Sequence, residues 1–130
     1  MLGGMSFATV THLRLDQAGV YELVGRRLGQ NDSILQARFS SYSDWPADAQ
    51  MAVLSLAWAC GPMFRFPRME SALSALDFTT AADECDIHPS VGTIANRNAA
   101  NRALLLNASS VLSESMDPDV LYWPQNVHKS

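Results

Sequence analysis

"DWPADAQMAVLSLAWACGP", residues 44–62, carries the clearest structural signal in the chain. Pro46 suits a first helical turn, because its missing N–H leaves no bond unmade there and its fixed φ is already helical. Across residues 51–60 only Ser55 is polar, and Gly61-Pro62 stops the run. A helix that is apolar on every side is expected to be surrounded by other helices. The run is about half the length that a bilayer requires, so it predicts the hub of a folded domain and no membrane span.

Helical periods extend outward in both directions, and strand alternation is absent. "LDQAGVYELVGRRLG", residues 15–29, offers Asp16 as N-cap and places Ala18, Tyr21, Val24 and Leu28 on one side, with Gly29 closing it. "DSILQARFSSY", residues 32–42, predicts a second short helix capped by Asp32 or Ser33. Beyond the hub, "FPRMESALSAL" predicts a helix starting at Pro67, and "DFTTAADEC" one capped by Asp77 or Thr79. "DIHPSVG", residues 86–92, reads as a loop broken by Pro89 and Gly92. A long helix over about residues 94–113 follows, and then "DPDVLYWP", a short turn or tail with Tyr122 and Trp123 tucked against the body. The expected fold is all-α: one compact domain of about six helices around a buried central helix. It divides into an N-terminal arm (1–13), a helical core (14–115) and a C-terminal tail (116–130).

The totals agree with one such domain. The chain has 130 residues, 48% hydrophobic and 17% charged, enough for a single core without metal or disulfide staples. A net charge of −4 argues against a general nucleic-acid binder and against adsorption to anionic membranes. The charge is unevenly placed. No acidic residue lies between Asp86 and Glu114, and Arg97 and Arg102 sit in that gap. "MLGGMSFATV" has neither a basic n-region nor a long apolar stretch, so a soluble protein without a standard signal peptide is expected. Cys60 and Cys85 lack metal-ligand spacing; two buried thiols and one disulfide both fit the sequence.

The long last helix poses its own question. Four of the 21 residues in "GTIANRNAANRALLLNASSVL", residues 92–112, are asparagine, a mediocre helix former whose amide competes for backbone hydrogen bonds. At about 100° per residue, Ile94, Asn98, Asn101, Leu105, Ala108 and Leu112 fall on one face. A buried amide needs partners for its donors and its acceptor. Either Asn98 and Asn101 bond the neighbouring "DIHPSVG" loop and pin it, or the stripe opens into a cleft. In that cleft Arg97, Asn98 and Asn101, with Arg102 nearby, would meet a ligand rich in hydroxyls, acetamido groups and carboxylates.

"DAQMAVLSLAWACGPMF", then "FTTAADE", then "GTIANRNAANRALL" together resemble the C-terminal helical lobe of phage-type lysozymes. Trp58 and Gly61 match the aromatic and glycine that end the family's buried helix. Ala81, Ala82 and Glu84 match its short "AA-x-E" helix, and Arg97, Arg102, Ala103 and Leu104 match its last one. "LDQAGVYELVGRRL" is similar to the helix joining the family's two lobes, so the resemblance spans residues 14–112. Asparagine stands at Asn96, Asn98 and Asn101 where the family carries arginine or glutamate.

The resemblance implies peptidoglycan as ligand and hydrolysis of its β-1,4 glycosidic bonds as the ancestral reaction. It also implies a muramidase relative from a phage or a bacterial effector. The missing signal peptide leaves the location open between the cytoplasm and release by phage lysis or a dedicated secretion system. Family members carry a catalytic glutamate near the N-terminus, followed by a hairpin lobe with an aspartate and a threonine that position a water. Here the similar helix begins about fifteen residues from the start, so that lobe is expected to be missing and the chain inactive alone. Glu22 is the one weak candidate for the acid, and a solvated helix carboxylate is its plainer reading. The rival expectation is a non-enzymatic interaction protein. It would keep the helical core and use the Asn-rich helix, or exposed Trp45 and Trp123, against a protein partner or a second copy.

Other chemistry is sparse. His12, His88 and His128 are scattered without triad or metal spacing, and Ser55 lacks a nucleophile elbow. "DECD", residues 83–86, lacks calcium-loop spacing. No metal or cofactor is expected.

Overall fold

The hub is a helix, Ala47–Cys60, and its punctuation is as the sequence predicts. Pro46 caps its start with φ −53°, and Gly61 ends it, donating its N–H to Ala57 O at 2.8 Å. Gly61 adopts φ +90°, a conformation that side chains rarely tolerate. In the computed structural model the backbone is described for residues 17–128 and the side chains for residues 25–128. The arm over residues 1–13, Asp16, His12 and the side chains of Ala18, Tyr21, Glu22 and Val24 lie outside the described residues.

Five α-helices make up the described chain: α1 (Gln17–Arg38), α2 (Ala47–Cys60), α3 (Pro67–Ser74), α4 (Phe78–Asp83) and α5 (Gly92–Ser113). A 3₁₀ turn, Tyr42–Asp44, joins α1 to α2, and no strand occurs among the described residues. No helix among them is long and apolar enough to cross a membrane. α5 packs along α2 and against α4, α3 packs on α4, and α1 packs on α2.

Two expected helices prove to be one. Gly29 lies inside α1, where it weakens the helix by roughly 1 kcal/mol without stopping it. Asp32 is no cap. Its carboxylate accepts hydrogen bonds from Gln36 Nε2 (2.7 Å) and the Tyr42 hydroxyl (2.9 Å), which tie α1 to the turn that follows. Leu35 and Phe39, near the end of α1, are buried in the core.

The shorter helices begin as read. Pro67 opens α3, and Glu70 reaches back to accept the Phe66 N–H at 2.6 Å. Asp77 caps α4, accepting from Thr80 N (3.1 Å) and Thr80 Oγ1 (2.7 Å). An aromatic cluster fills the space between these ends. Trp45 packs on Phe39, Tyr42 and Phe78 with ring centroids 5.3, 5.2 and 6.0 Å apart. The indole is only 2% exposed, so Trp45 is core and cannot serve as an exposed partner contact. Its position before Pro46 places it at the junction of α1 and α2, where a large ring closes the corner.

α2 is not sheathed on every side. Ala49, Ala52, Val53, Leu56 and Ala57 are buried, but Met51, Leu54 and Ser55 are half-buried and Trp58 is 40% exposed. Those four recur at i, i+3, i+4 and i+7, so they form one continuous helical stripe. Both cysteines are free: Cys85 is buried and Cys60 is exposed, which rules out the disulfide and corrects the expectation that both thiols are buried.

Candidate functional site

The open stripe of α2 is one wall of a cleft of about 440 Å³. Arg97, Ala100, Asn101 and Leu104 of α5 line it as well, so two rows of side chains, each on one face of a helix, bound the space. Leu28 of α1 and Trp123 of the C-terminal tail add apolar surface.

Arg97 reaches across the two helices. Its Nη1 donates to Ser55 Oγ at 2.8 Å and to Ser55 O at 3.2 Å. It has no carboxylate partner among the described residues, in contrast to Arg38 with Glu70 (3.0 Å) and Arg102 with Asp83 (2.6 Å). Asn101 lies one turn further along α5. It is 1% exposed, and neither its Nδ2 nor its Oδ1 has a hydrogen-bond partner. A buried amide left this way costs free energy, and each such group in a native structure calls for a reason.

The two readings of the asparagine stripe therefore divide between its members. Asn98 pins the loop: its Oδ1 accepts from Ile87 N (2.8 Å), and its Nδ2 donates to Ile87 O (2.8 Å) and Ser90 Oγ (3.0 Å). Asn101 instead sits at the cleft. Arg102 does not line it; its guanidinium bonds Asp83 and Ala82 O on the α4 side. The side chain of Glu22 lies outside the described residues. At the far end of α5 the expected stripe also drifts, since Val111 is buried and Leu112 is 45% exposed. The tail bonds the Asn107 side chain on this part of the helix.

Two functional-grade residues escape a reading based on periodicity. Asp48, fully buried in the first turn of α2, accepts hydrogen bonds from Asn107 Nδ2 (2.9 Å), Tyr122 N (2.8 Å) and Trp123 N (3.1 Å). Asn107, also fully buried, donates to Gln125 O at 2.7 Å and accepts from Val127 N at 2.9 Å. In sequence the only cue was an acid in a helix whose other inward positions are apolar, and an asparagine just off the predicted stripe.

Partial desolvation at the end of α2 raises the thiol of the otherwise exposed Cys60 above its ordinary value, outweighing the nearby Arg97 guanidinium that pulls it down. Burial, with Asp86 adding to it, pushes Cys85 up to about 11. Tyr42 is likewise raised, by burial and then by its bond to Asp32. No group of three His, Cys, Asp or Glu among the described residues is placed to hold a metal ion. The cleft is thus lined by a guanidinium, two indoles and aliphatic surface, with the unpartnered Asn101 amide buried in its wall. Comparison with protein-family models, curated proteins and solved structures found no match.

Proposed function

We propose that this chain is a lysozyme-like helical domain that binds a peptidoglycan fragment in the cleft between α2 and α5. The observation that carries the reading is Asn101: a fully buried amide, both polar atoms unpartnered, on the wall of an open cleft. The amide is buried in the free chain, so binding requires its side chain to turn into the cleft, where an acetamido group would pair with it in both directions, N–H to Oδ1 and C=O to Nδ2. A carboxylate suits Arg97, whose guanidinium, among the described residues, is engaged only through Nη1 with Ser55. The exposed faces of Trp58 and Trp123 offer flat apolar surface for the C–H side of a sugar ring. N-Acetylmuramic acid joins an acetamido group and a carboxylate on one ring, and it is the sugar these groups would select.

Calorimetric titration with the N-acetylglucosaminyl–N-acetylmuramic acid disaccharide tests this. Saturable binding is expected, weakened about tenfold or more by Arg97→Gln, as for loss of a hydrogen bond to a charged group. A flat titration up to millimolar disaccharide would exclude the ligand. The second reading, a protein partner or a second copy, is supported by the apolar rim. Trp58 and Trp123, which line the cleft, are 40% and 39% exposed.

A further inference from the structure

The C-terminal tail holds to the body by specific polar contacts as well as by partial apolar burial. Val120, Leu121 and Trp123 each keep about two-fifths of their surface exposed, so none of them is a core anchor. Instead its backbone converges on two side chains from different helices. Tyr122 N and Trp123 N donate to the Asp48 carboxylate, while Gln125 O and Val127 N bond the Asn107 amide. His128 Nδ1 lies 3.3 Å from Asn107 Oδ1, and Asn107 Nδ2 also donates to Asp48 Oδ2. Upstream, Ala47 N donates to Pro118 O at 2.8 Å.

Asp48 is 0% exposed, and no cation is paired with it among the described residues. A buried carboxylate without a cation must be met by N–H donors, and two of its three donors belong to the tail. The dependence is mutual: the tail needs the carboxylate to dock, and the carboxylate needs the tail to be solvated. The residue that both bonds the carboxylate through its N–H and lines the cleft through its side chain is Trp123.

We propose that Asp48 and Asn107 form a latch on the C-terminal tail that sets Trp123 in the wall of the α2–α5 cleft. They are positioning residues, since neither lines the cleft. The consequence for affinity rests on the ligand reading above; the positioning of Trp123 does not.

Amide hydrogen exchange on the ligand-free full chain tests the latch. In Asp48→Asn one acceptor oxygen is replaced by a donor facing donors. Amides of residues 118–127 are expected to exchange about tenfold to a hundredfold faster, as for loss of a hydrogen bond to a charged group, with α4 and α5 unchanged. Val127→Pro, outside the helices, removes the N–H that Asn107 Oδ1 accepts and is expected to loosen the same segment. In both variants the Trp123 indole becomes more accessible to acrylamide, read in a Trp58→Phe background. Unchanged tail exchange in both variants, or acceleration spread equally over α5, would overturn the latch. If the tail loosens as expected but the disaccharide does not bind the wild-type chain, the latch stands and the ligand reading falls. If the disaccharide binds, both variants are expected to weaken it to the level of Trp123→Ala; undiminished affinity would remove the link between latch and cleft.

Discussion

Asn98 and Asn101 lie three residues apart on α5, chemically identical and oppositely used. Asn98 has its oxygen and nitrogen bonded to Ile87 and Ser90, whereas Asn101 has neither atom partnered. Replacing a buried polar group costs most when it leaves partners stranded, and least when it had none. Asn98→Ala, which strands the Ile87 N–H and C=O, is therefore expected to lower unfolding stability by about 1–3 kcal/mol. Its effect on disaccharide binding should follow only from that loss. Asn101→Leu should have the opposite profile: a chain as stable as wild type, or more stable by about 1 kcal/mol, that no longer binds. Urea unfolding and calorimetric titration on the same preparations give both numbers. A destabilised Asn101→Leu chain would show that the amide is a structural requirement rather than a ligand contact.

At the scale of the helices, two glycines with similar sequence contexts separate cleanly. Gly29 lies within α1, where an added Cβ meets nothing within 4 Å. Gly61 ends α2 at φ +90°, where strain and not space is limiting. Gly29→Ala is expected to raise stability by about 0.5–1 kcal/mol through helix propensity, and Gly61→Ala to lower it by about 1 kcal/mol or more. A destabilising Gly29→Ala, measured by thermal unfolding, would mean that α1 breaks there in solution. The open face of α2 belongs to this scale as well. One helix presents Ala49, Ala52, Val53 and Leu56 to the core and Met51, Leu54, Ser55 and Trp58 to the cleft, so a uniformly apolar run serves two surfaces.

For the whole molecule, the described cleft brings a cation, an amide and two indoles together, with no carboxylate, histidine or thiol lining it. The expected behaviour of this chain alone is binding without cleavage: a suspension of purified peptidoglycan keeps its turbidity when the chain is added, while the chain sediments with it. Clearing of the suspension would mean that a general acid operates from outside the described cleft, and Glu22 would be the first residue to replace. A chain that stays in the supernatant and elutes as a dimer in light scattering would favour the partner-binding reading of the apolar rim.

Helix positions and ends were legible in the sequence because they depend on local chemistry. Pro46, Gly61, Pro67 and Asp77 each act on the turn they belong to, and each does so here. Gly29 and Asp32 misled for a related reason: a helix stop is a competition, and α1 continues because Leu35 and Phe39 gain a core that no local rule contains. The asparagine stripe and the arginines were visible, but not which amide would find partners. The latch was invisible. Asp48 meets Tyr122 and Trp123 across more than seventy residues of chain, a separation at which pattern carries no information. The sequence by itself determined an all-helical chain and where most of its helices start and stop. The tertiary structure alone decided which face of α2 stays open, which asparagine is left without hydrogen-bond partners, and which backbone N–H groups meet a buried carboxylate, because side-chain hydrogen bonds are settled by packing between distant segments.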